Sequence, residues 1–302
     1  MRILPYKIEA QDNVANWGLN SINVHSMWNR GISGKGSVVA VIDTGIDMKH
    51  ESLESNIIGG ANFTTDHSSD FKNFQDNNGH GTHVAGIIAS NNHKYEIGVA
   101  PEAKLLILKA LSYSGSGSIT AVVNALYYAL SWRGNGGEKV DIVCLSLGSP
   151  VSDPRLKEAI QYLVDQNILI VVASGNDGDG TEREEYRYPG YYNEVVQVGA
   201  IDKNNSPSRF SNNNKEIDLV APGDTIFSTY LGNDYRSLSG TSMAAPFIAG
   251  GLALLRQQSS QLFKRNLTEP EIYAQLIKST SFMENSVTYT GNGLLNLSKS
   301  FT

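Results

Sequence analysis

The chain has 302 residues, 40% of them hydrophobic, which is enough to bury the core of one sizeable α/β domain or of two small ones. A formal net charge of −6, without any basic run, argues against a nucleic-acid partner. The single cysteine, Cys144, excludes an internal disulfide and indicates a reducing compartment, most simply the cytoplasm. Because the sequence shows neither a signal peptide nor an apolar stretch of membrane-spanning length, no membrane partner is expected.

Strands and helices alternate along the chain, with no long linker between them. Continuous apolar runs predict buried parallel strands over residues 37–42, 104–108, 140–145, 168–173, 195–201 and 217–220. Helical spacing predicts helices over residues 22–28, 119–130 and 154–166, and a capping box predicts another that begins at Thr268. The residues between Gly45 and Asn78 are interpreted as polar loops. The alternation predicts one α/β domain in three layers, with a doubly wound, mostly parallel sheet and helices on both faces.

A candidate nucleophile, Ser242, stands in the stretch Gly-Thr-Ser-Met-Ala-Ala-Pro, which runs into an apolar segment of small residues. A serine hydroxyl is a poor nucleophile at neutral pH unless it has an adjacent base, an unhindered mounting and donors aimed at the charge it creates. Gly240 permits a tight turn, and the residues after it predict a buried helix with Ser242 at its positive end. For Gly-Thr-Ser alone, a serine that only caps the helix is the alternative.

Two further motifs provide candidate partners for this serine. Asp43 ends the strand over residues 37–42, and the carboxyl ends of central strands are where open α/β sheets gather ligands, although a cap or turn role is the alternative. His80 and His83 stand three apart at the head of a helix, which raises zinc binding as a possibility. No glutamate lies between them and no third ligand follows at a recognisable spacing, so a base for Ser242 is the better use of one of them.

The order Asp43, His80, Ser242 is the order found in subtilisin. The motifs Val-Ile-Asp-Thr-Gly-Ile, His-Gly-Thr-His-Val-Ala-Gly and Gly-Thr-Ser-Met-Ala-Ala-Pro, with Ser-Gly-Asn between the last two, resemble those of the subtilisin-like serine proteases. The resemblance implies an endopeptidase in which Ser242 attacks the scissile carbonyl, His80 transfers its proton and Asp43 orients His80. It also implies that Asn176 donates to the oxyanion. His83 is interpreted as a packing residue.

The same resemblance implies where a peptide or protein substrate lies, as a strand added between two edges of the cleft. One edge would be Ser116, Gly117 and Ser118, and the other Ser146, Leu147 and Gly148. Ile119 would line a pocket for a side chain upstream of the cut. The pocket for the residue just before the cut would be walled by Ala173, Ser174 and Gly175, with Asp177 at its rim.

The sequence most resembles the intracellular subtilisins, whose short N-terminal extension, with a Leu-Ile-Pro-Tyr core, lies across the active site. Here the corresponding residues are Ile3, Leu4, Pro5 and Tyr6. We therefore expect residues 1–20 to form an inhibitory extension and residues 21–302 the peptidase domain. Apolar side chains would fill substrate pockets while proline, which lacks an N–H, bends the chain. Deleting residues 1 to about 18 should raise the initial rate, and a disordered terminus is the alternative.

Calcium is an expected cofactor, but the resemblance leaves its position open. The family's usual site has an aspartate where this chain has Ser52, and Lys94 stands nearby, so that site is doubtful, with Glu51 or Glu54 as outside candidates. A second site, for calcium or a monovalent cation, matches better and would use the carbonyls of Gly190, Tyr192 and Val195 with the carboxylate of Asp218. The resemblance also implies a cis Tyr188–Pro189 bond. The acidic loop over residues 177–185 could hold calcium, attract basic side chains or simply be solvated.

The sequence leaves two alternative functions to weigh, and it leaves the oligomeric state undecided. A dedicated cytoplasmic leader peptidase of narrow specificity would carry the same motifs. A pseudoprotease or binding module is opposed by the presence of Asp43, His80, Asn176 and Ser242 together. Because the C-terminal segment that helps intracellular subtilisins to dimerise is short here, a monomer and a homodimer are the two alternatives for the oligomeric state.

Overall fold

A computed structural model describes residues 1–8, 17–92 and 96–301, apart from the side chain of Glu96. Its α-helices are Trp17–Ser21 (α1), His25–Trp28 (α2), His80–Ala89 (α3), Ile119–Ser131 (α4), Pro154–Asp165 (α5), Thr241–Phe263 (α6), Glu269–Lys278 (α7) and Val287–Thr290 (α8). Its strands are Arg2–Ile3 (β1), Lys7–Ile8 (β2), Val38–Asp43 (β3), Ile57–Asn62 (β4), Asn91–Asn92 (β5), Glu96–Ile97 (β6), Lys104–Lys109 (β7), Ile142–Leu145 (β8), Leu147–Gly148 (β9), Leu169–Ala173 (β10), Val196–Ile201 (β11), Leu219–Pro222 (β12), Ile226–Tyr230 (β13), Asp234–Ser239 (β14), Thr280–Ser281 (β15) and Leu294–Leu295 (β16).

A nine-stranded sheet forms the middle layer, in the order β15-β16-β12-β11-β10-β8-β3-β7-β4. All its neighbouring strands run parallel except β15, which pairs antiparallel with β16. Helices α3 and α6 pack in the hydrophobic cluster on one face, and α4 and α5 in the cluster on the other. The predicted three-layer, doubly wound fold is therefore confirmed.

Strand β3 shows why the sheet needs both layers. All six of its residues are buried, and alternate side chains belong to different clusters: Val39 and Val41 to one, Val38, Ala40 and Ile42 to the other. Side chains of a strand point alternately to opposite faces, so a strand without polar alternation must be covered on both. The strand ends at Asp43, which places this carboxylate at the carboxyl edge of the sheet.

The sequence interpretation was wrong between Gly45 and Asn78, where it left only polar loops. Residues 57–62 form strand β4, which pairs in parallel with β7 at the edge of the sheet. Two glycines made this stretch resemble a loop, but at Gly60 the Phe74 ring and the Ile107 carbonyl occupy the place where a side chain would lie. The antiparallel hairpin β13–β14 was also missed, and the helix predicted over residues 22–28 begins only at His25.

Two local predictions are confirmed. The Tyr188–Pro189 bond is cis. Thr268 and Glu271 form the reciprocal capping box that begins α7. In the described part of the chain, no helix has both the length and the apolar character needed to cross a bilayer.

Candidate active site

His80 is the first residue of α3, and its side chain faces Asp43, the last residue of β3. Its Nδ1 lies 2.8 Å from Oδ1 of Asp43, and both side chains are buried. The carboxylate also accepts from the Thr44 N–H at 2.7 Å, which fixes its plane. A carboxylate beside Nδ1 favours the tautomer with the proton on Nδ1, leaving Nε2 free to accept a proton. In the described residues Nε2 has no hydrogen-bond partner.

Asp76 positions the helix that carries His80, and the sequence analysis missed it. Its carboxylate accepts the backbone N–H groups of Asn78 and Gly79 through one oxygen, and the N–H and hydroxyl of Thr82 through the other. These are donors in the loop and first turn of α3, which a helix cannot satisfy by itself. His80, the first residue of α3, is thereby held in place.

Ser242 is the second residue of α6, as the sequence predicted. Its hydroxyl donates to the Ser146 carbonyl at 3.3 Å, while the Ser146 hydroxyl donates to the Ser242 carbonyl at 2.9 Å. Helices α3 and α6 pack directly against each other. The structure thus joins Asp43 to His80 by a hydrogen bond, but the Ser242 hydroxyl is directed at Ser146. A hydrogen bond between a nucleophile and its base commonly tightens only when a ligand is bound, so this geometry does not oppose the predicted pairing of Ser242 with His80.

Asn176 presents its amide at the start of the same helix. Its Oδ1 accepts from the N–H and the hydroxyl of Thr241, at 2.8 and 2.7 Å, which leaves Nδ2 to face the cleft. Nδ2 donates at 2.5 Å to the carbonyl of Pro5, a residue 171 positions earlier in the chain. The amide therefore already holds a peptide carbonyl.

The first residues of the chain lie in the cleft as an added strand. Arg2 and Ile3 pair antiparallel with Gly148 and Leu147, and Arg2 also bridges to Ser116 on the other side. On that side Ile3 donates to the Gly115 carbonyl at 2.8 Å, and Gly117 donates to the Met1 carbonyl at 2.9 Å. Past Pro5, Lys7 and Ile8 pair with Ser239 and Leu238 of β14.

The N-terminal strand thus pairs with both predicted edges of the cleft, although some of the residues that make the contacts differ from those predicted. The first edge runs over residues 115–117, so Gly115 was missed. Ser118 has a different contact: its hydroxyl accepts from Ala121 and caps α4. Ile119, the first residue of that helix, packs with Met1 and Ile3 against the same hydrophobic cluster. Ser146 contacts Ser242, as described above, whereas the strand pairing on its side of the cleft is made by Leu147 and Gly148.

Leu4 is only 2% exposed and enters a pocket that Gly148 of the second edge borders. A methyl group on Gly148 would lie 2.9 Å from Cδ2 of Leu4 and 3.2 Å from Cβ of Arg187. A methyl group on Gly175, whose φ of +123° also favours glycine, would lie 2.9 Å from Cγ of Arg187. The aliphatic stem of Arg187 therefore forms a wall of this pocket, which sequence reasoning did not find.

The predicted wall residues follow strand β10. Ala173 ends the strand, Ser174 donates its N–H to the Val198 carbonyl, and Gly175 donates to the Thr241 hydroxyl at 3.2 Å. At the rim, the Arg187 guanidinium binds both oxygens of the Asp177 carboxylate, at 2.5 and 2.6 Å. These hydrogen bonds are the main reason why the pKa of Asp177 is lowered.

His83 has the packing role that the sequence analysis gave it. It is completely buried, and its Nε2 lies 3.0 Å from the carbonyls of Ile226 and Arg236, so Nε2 carries the proton. Burial lowers the pKa of His83 to about 3, which keeps the ring neutral. The side chain joins α3 to the hairpin β13–β14. Among the described residues, no group of three or more His, Cys, Asp or Glu side chains is arranged to hold a metal.

Gln197 links two parts of the second predicted cation site, because its backbone bonds the Asp218 carboxylate and its side chain lies beside Gly190. The Asp218 carboxylate accepts from the Gln197 N–H at 2.7 Å and the Tyr273 hydroxyl at 2.5 Å, and burial raises its pKa to about 6. Beside Gly190 lies the amide of Gln197, which is wholly buried and whose oxygen and nitrogen lack partners in the described residues. A partly buried carboxylate whose pKa is raised by desolvation suits a cation, which would favour its ionised form.

The residues of the first calcium site have other partners. The Ser52 hydroxyl lies 2.6 Å from that of Tyr235, and Oε1 of Glu51 accepts from Asn92 at 3.2 Å. Glu54 begins a short 3₁₀ helix. Lys94 lies outside the described residues.

Residues 34–297 match the family model for the subtilases, Peptidase S8, so the chain belongs to that family. The chain is 48% identical over 302 residues to an intracellular serine protease of Paenibacillus polymyxa, which covers 98% of this chain and 90% of that protein. It is 46% identical over 303 residues to the major intracellular serine protease of Bacillus subtilis (strain 168), covering 98% and 93%. Subtilisin Savinase of Lederbergia lenta is 40% identical over 281 residues, covering 93% and 96%. The protein is a serine endopeptidase.

Proposed function

We propose that Ser242, His80 and Asp43 form the catalytic triad of this endopeptidase, with Asn176 as oxyanion donor. The observation that carries the proposal is the path of residues 1–8, because a peptide of the same chain lies as a strand in the cleft with one carbonyl on Asn176. A substrate peptide would follow the same edges. Fluorophosphonate labelling of Ser242, and its loss in His80→Ala, tests the proposal.

In the reaction, Ser242 would turn its hydroxyl from Ser146 towards Nε2 of His80 and attack the scissile carbonyl. His80 would accept the proton at Nε2 and later transfer it to the leaving amine, while Asp43 stabilises the charged ring. The carbonyl oxygen becomes an anion in this step, so a preorganised donor stabilises the transition state more than the substrate. Asn176 supplies that donor, because Thr241 already fixes its other amide atom.

Residues 1–8 would act as an intramolecular inhibitor. Leu4 fills the pocket beside Arg187, and the Pro5 carbonyl accepts the hydrogen bond of the Asn176 amide. The Tyr6 ring lies 5.2 Å from the ring of His80. Together these residues cover the binding groove, the oxyanion donor and the base. The carbonyl on Asn176 belongs to Pro5, while the side chain seated in the pocket is that of the preceding residue. The segment is thus bound as a peptide but is not a good substrate.

We further propose that the enzyme acts in the cytoplasm. The two relatives of higher identity described above are both named as intracellular serine proteases. The single, buried Cys144 agrees with a reducing compartment.

Replacing Asn176 by Leu is expected to lower kcat by about 10²- to 10³-fold, the loss seen for the corresponding donor in subtilisin itself. KM should change little, because the amide acts mainly on the charge that develops during the reaction. Steady-state kinetics on a short peptide substrate measure both constants. Asn214→Leu removes another structured amide, one that bonds the Glu185 carbonyl, and serves as the control for general destabilisation. A kcat within about threefold of the parent in Asn176→Leu would contradict the assignment.

Calcium or a monovalent cation would bind between Asp218 and the carbonyls of Gly190, Tyr192 and Val195. The raised pKa of the Asp218 carboxylate, which follows from its burial, supports the proposal, because a bound cation would favour the ionised form of Asp218. With one carboxylate among mostly neutral oxygens, the affinity should be modest.

Calcium chloride at about 10 mM is therefore expected to raise the Tm by about 2–4 °C, the shift that a Kd near 1 mM gives for a domain of this size. The shift should be absent in Asp218→Asn and retained in Asp165→Asn, which alters an exposed carboxylate at the end of α5. Thermal unfolding with calcium, sodium, potassium or a chelator distinguishes the ions. A shift that survives in Asp218→Asn, or no shift with any ion, would count against the site.

A further inference from the structure

Lys109, the last residue of β7, is a charged side chain with no exposed surface. It stands opposite Asp43 in the pairing of β7 with β3, so it lies at the carboxyl edge of the sheet, beside the proposed active site. Burying an ammonium group is unfavourable unless the group is paired and hydrogen-bonded. The position of Lys109 therefore requires several partners.

The ammonium group has these partners. It donates to the Thr44 carbonyl at 2.7 Å, to Oδ1 of Asn77 at 3.0 Å and to the Leu111 carbonyl at 3.2 Å. These three hydrogen bonds use all three of its protons. The Asp66 carboxylate, which is 7% exposed, lies 3.0 Å from Nζ and supplies the opposite charge. One side chain thus joins segments that follow three different strands of the sheet and precede α3.

Two of the partners belong to the backbone that supports Asp43 and His80. The Thr44 N–H donates to the Asp43 carboxylate, and the Thr44 hydroxyl accepts from the Gly81 N–H in the first turn of α3. Asn77 stands three residues before His80 in the loop that leads into the same helix. Lys109 therefore contacts the segments that place both the carboxylate and the base.

The other two partners hold the first edge of the cleft. Residues 112–116 form a turn that two backbone hydrogen bonds of 2.8 Å close on itself, so its place depends on how it is attached to the sheet. Leu111, which leads into the turn, is bonded to Lys109. The Tyr113 N–H donates to the Asp66 carboxylate at 2.8 Å. The ion pair between Lys109 and Asp66 thus attaches the turn to the end of the sheet.

We propose that Lys109 is a positioning residue that holds the first edge of the cleft in register with the catalytic residues. The inference rests on the proposed function, because it takes the path of residues 1–4 as the path of a substrate. Along that path the Gly115 carbonyl accepts the N–H of Ile3, and the Gly117 N–H donates to the carbonyl of Met1. A substrate that extends this far needs the edge in its correct place, whereas a substrate too short to reach the edge does not.

The test uses the full chain carrying Leu4→Asp, which places a charge in the Leu4 pocket and releases the segment without shortening the protein. Two substrates carry the same nitroanilide leaving group after leucine: acetyl-Leu, and acetyl-Met-Arg-Ile-Leu, which reproduces residues 1–4. Only the longer substrate has the N–H and the carbonyl that bond the edge. The released nitroaniline gives kcat/KM for both, and the ratio of long to short does not depend on how much of each variant is folded.

In Leu4→Asp/Lys109→Met this ratio is expected to fall by about tenfold, the effect of losing one or two backbone hydrogen bonds to the longer substrate. The matched control is Leu4→Asp/Arg256→Met, which breaks another largely buried ion pair. The partner of Arg256 is Asp141, whose carboxylate accepts the Val38 N–H at the opposite end of β3. The control should keep the parent ratio, because this pair lies at the end of the strand away from Asp43.

A further variant, Leu4→Asp/Lys109→Met/Asp66→Asn, removes both charges of the buried pair. Loss of one partner leaves an uncompensated charge and is strongly destabilising, whereas replacing both partners by neutral groups of similar volume is often tolerated. The ratio should stay low in this variant, because the three hydrogen bonds of Lys109 are still missing. Recovery of the parent ratio would assign the effect to the unpaired Asp66 charge and overturn the role of Lys109.

An unchanged ratio in Lys109→Met, or an equal fall in the Arg256→Met control, would also overturn that role and leave the endopeptidase assignment intact. A ratio of one in the Leu4→Asp parent would show that the edge does not bind the longer substrate, and the inference would fail with it. Hydrolysis of neither substrate by that parent would remove the proposed function as well.

Discussion

Deletion of residues 1–16 is expected to raise the initial rate of peptide hydrolysis by about tenfold or more. In the proposed inhibitory role the segment competes with substrate from within the same molecule, where a short tether gives an effective concentration in the millimolar range. Removing it exposes the Leu4 pocket, the Asn176 amide and His80 at once. The deletion keeps Trp17, whose indole N–H bonds the Asp224 carbonyl, so the start of α1 retains its anchor. The rate on a fluorogenic peptide, taken before any self-cleavage, measures the effect.

A full-length variant separates release of the segment from any effect of shortening the chain. Leu4→Asp should raise the rate as the deletion does, because an unpaired carboxylate is unfavourable in a pocket that leaves only 2% of Leu4 exposed. The matched control is Leu262→Asp, the same exchange at a side chain that is 57% exposed. Equal rates for the parent, the deletion and Leu4→Asp would remove the inhibitory role.

Ser242→Ala is expected to abolish activity almost completely, by about 10⁶-fold in kcat, which is the loss known for the nucleophile of subtilisin. Ser242 is the hydroxyl that the start of α6 places beside the cleft together with His80 and Asn176, and alanine removes it. The measurement is best made in the Leu4→Asp background, where the segment does not mask the loss. Fluorophosphonate labelling should disappear together with turnover.

Ser279→Ala is the matched control for this exchange. Ser279 is also buried, and in the described residues its hydroxyl has no hydrogen-bond partner, so its loss should alter neither turnover nor labelling. His80→Ala should remove labelling as well, since the serine is activated by its base. Labelling that persists in Ser242→Ala would identify a different nucleophile.

Much of the fold was predictable because its central strands are buried on both faces. A run such as Val38 to Ile42 contains no polar residue, and only a covered parallel strand accommodates such a run. Strand β4 was missed because Gly59 and Gly60 carry no apolar side chains, although Leu106 and Phe74 fill the space beside them. A pattern of side chains cannot report packing that neighbouring residues supply.

The sequence alone determined the family, and it predicted the roles of Asp43, His80, Ser242 and Asn176, because each lies in a short motif whose own residues build the local turn or helix start. It also indicated that Ile3 to Tyr6 would lie across the cleft. Only the tertiary structure decided that Arg187 walls the Leu4 pocket and that Lys109 bonds the Thr44 carbonyl. Those contacts join residues about 180 and 65 positions apart, and their geometry depends on how the strands, the helices and the loops between them pack, which no local pattern encodes.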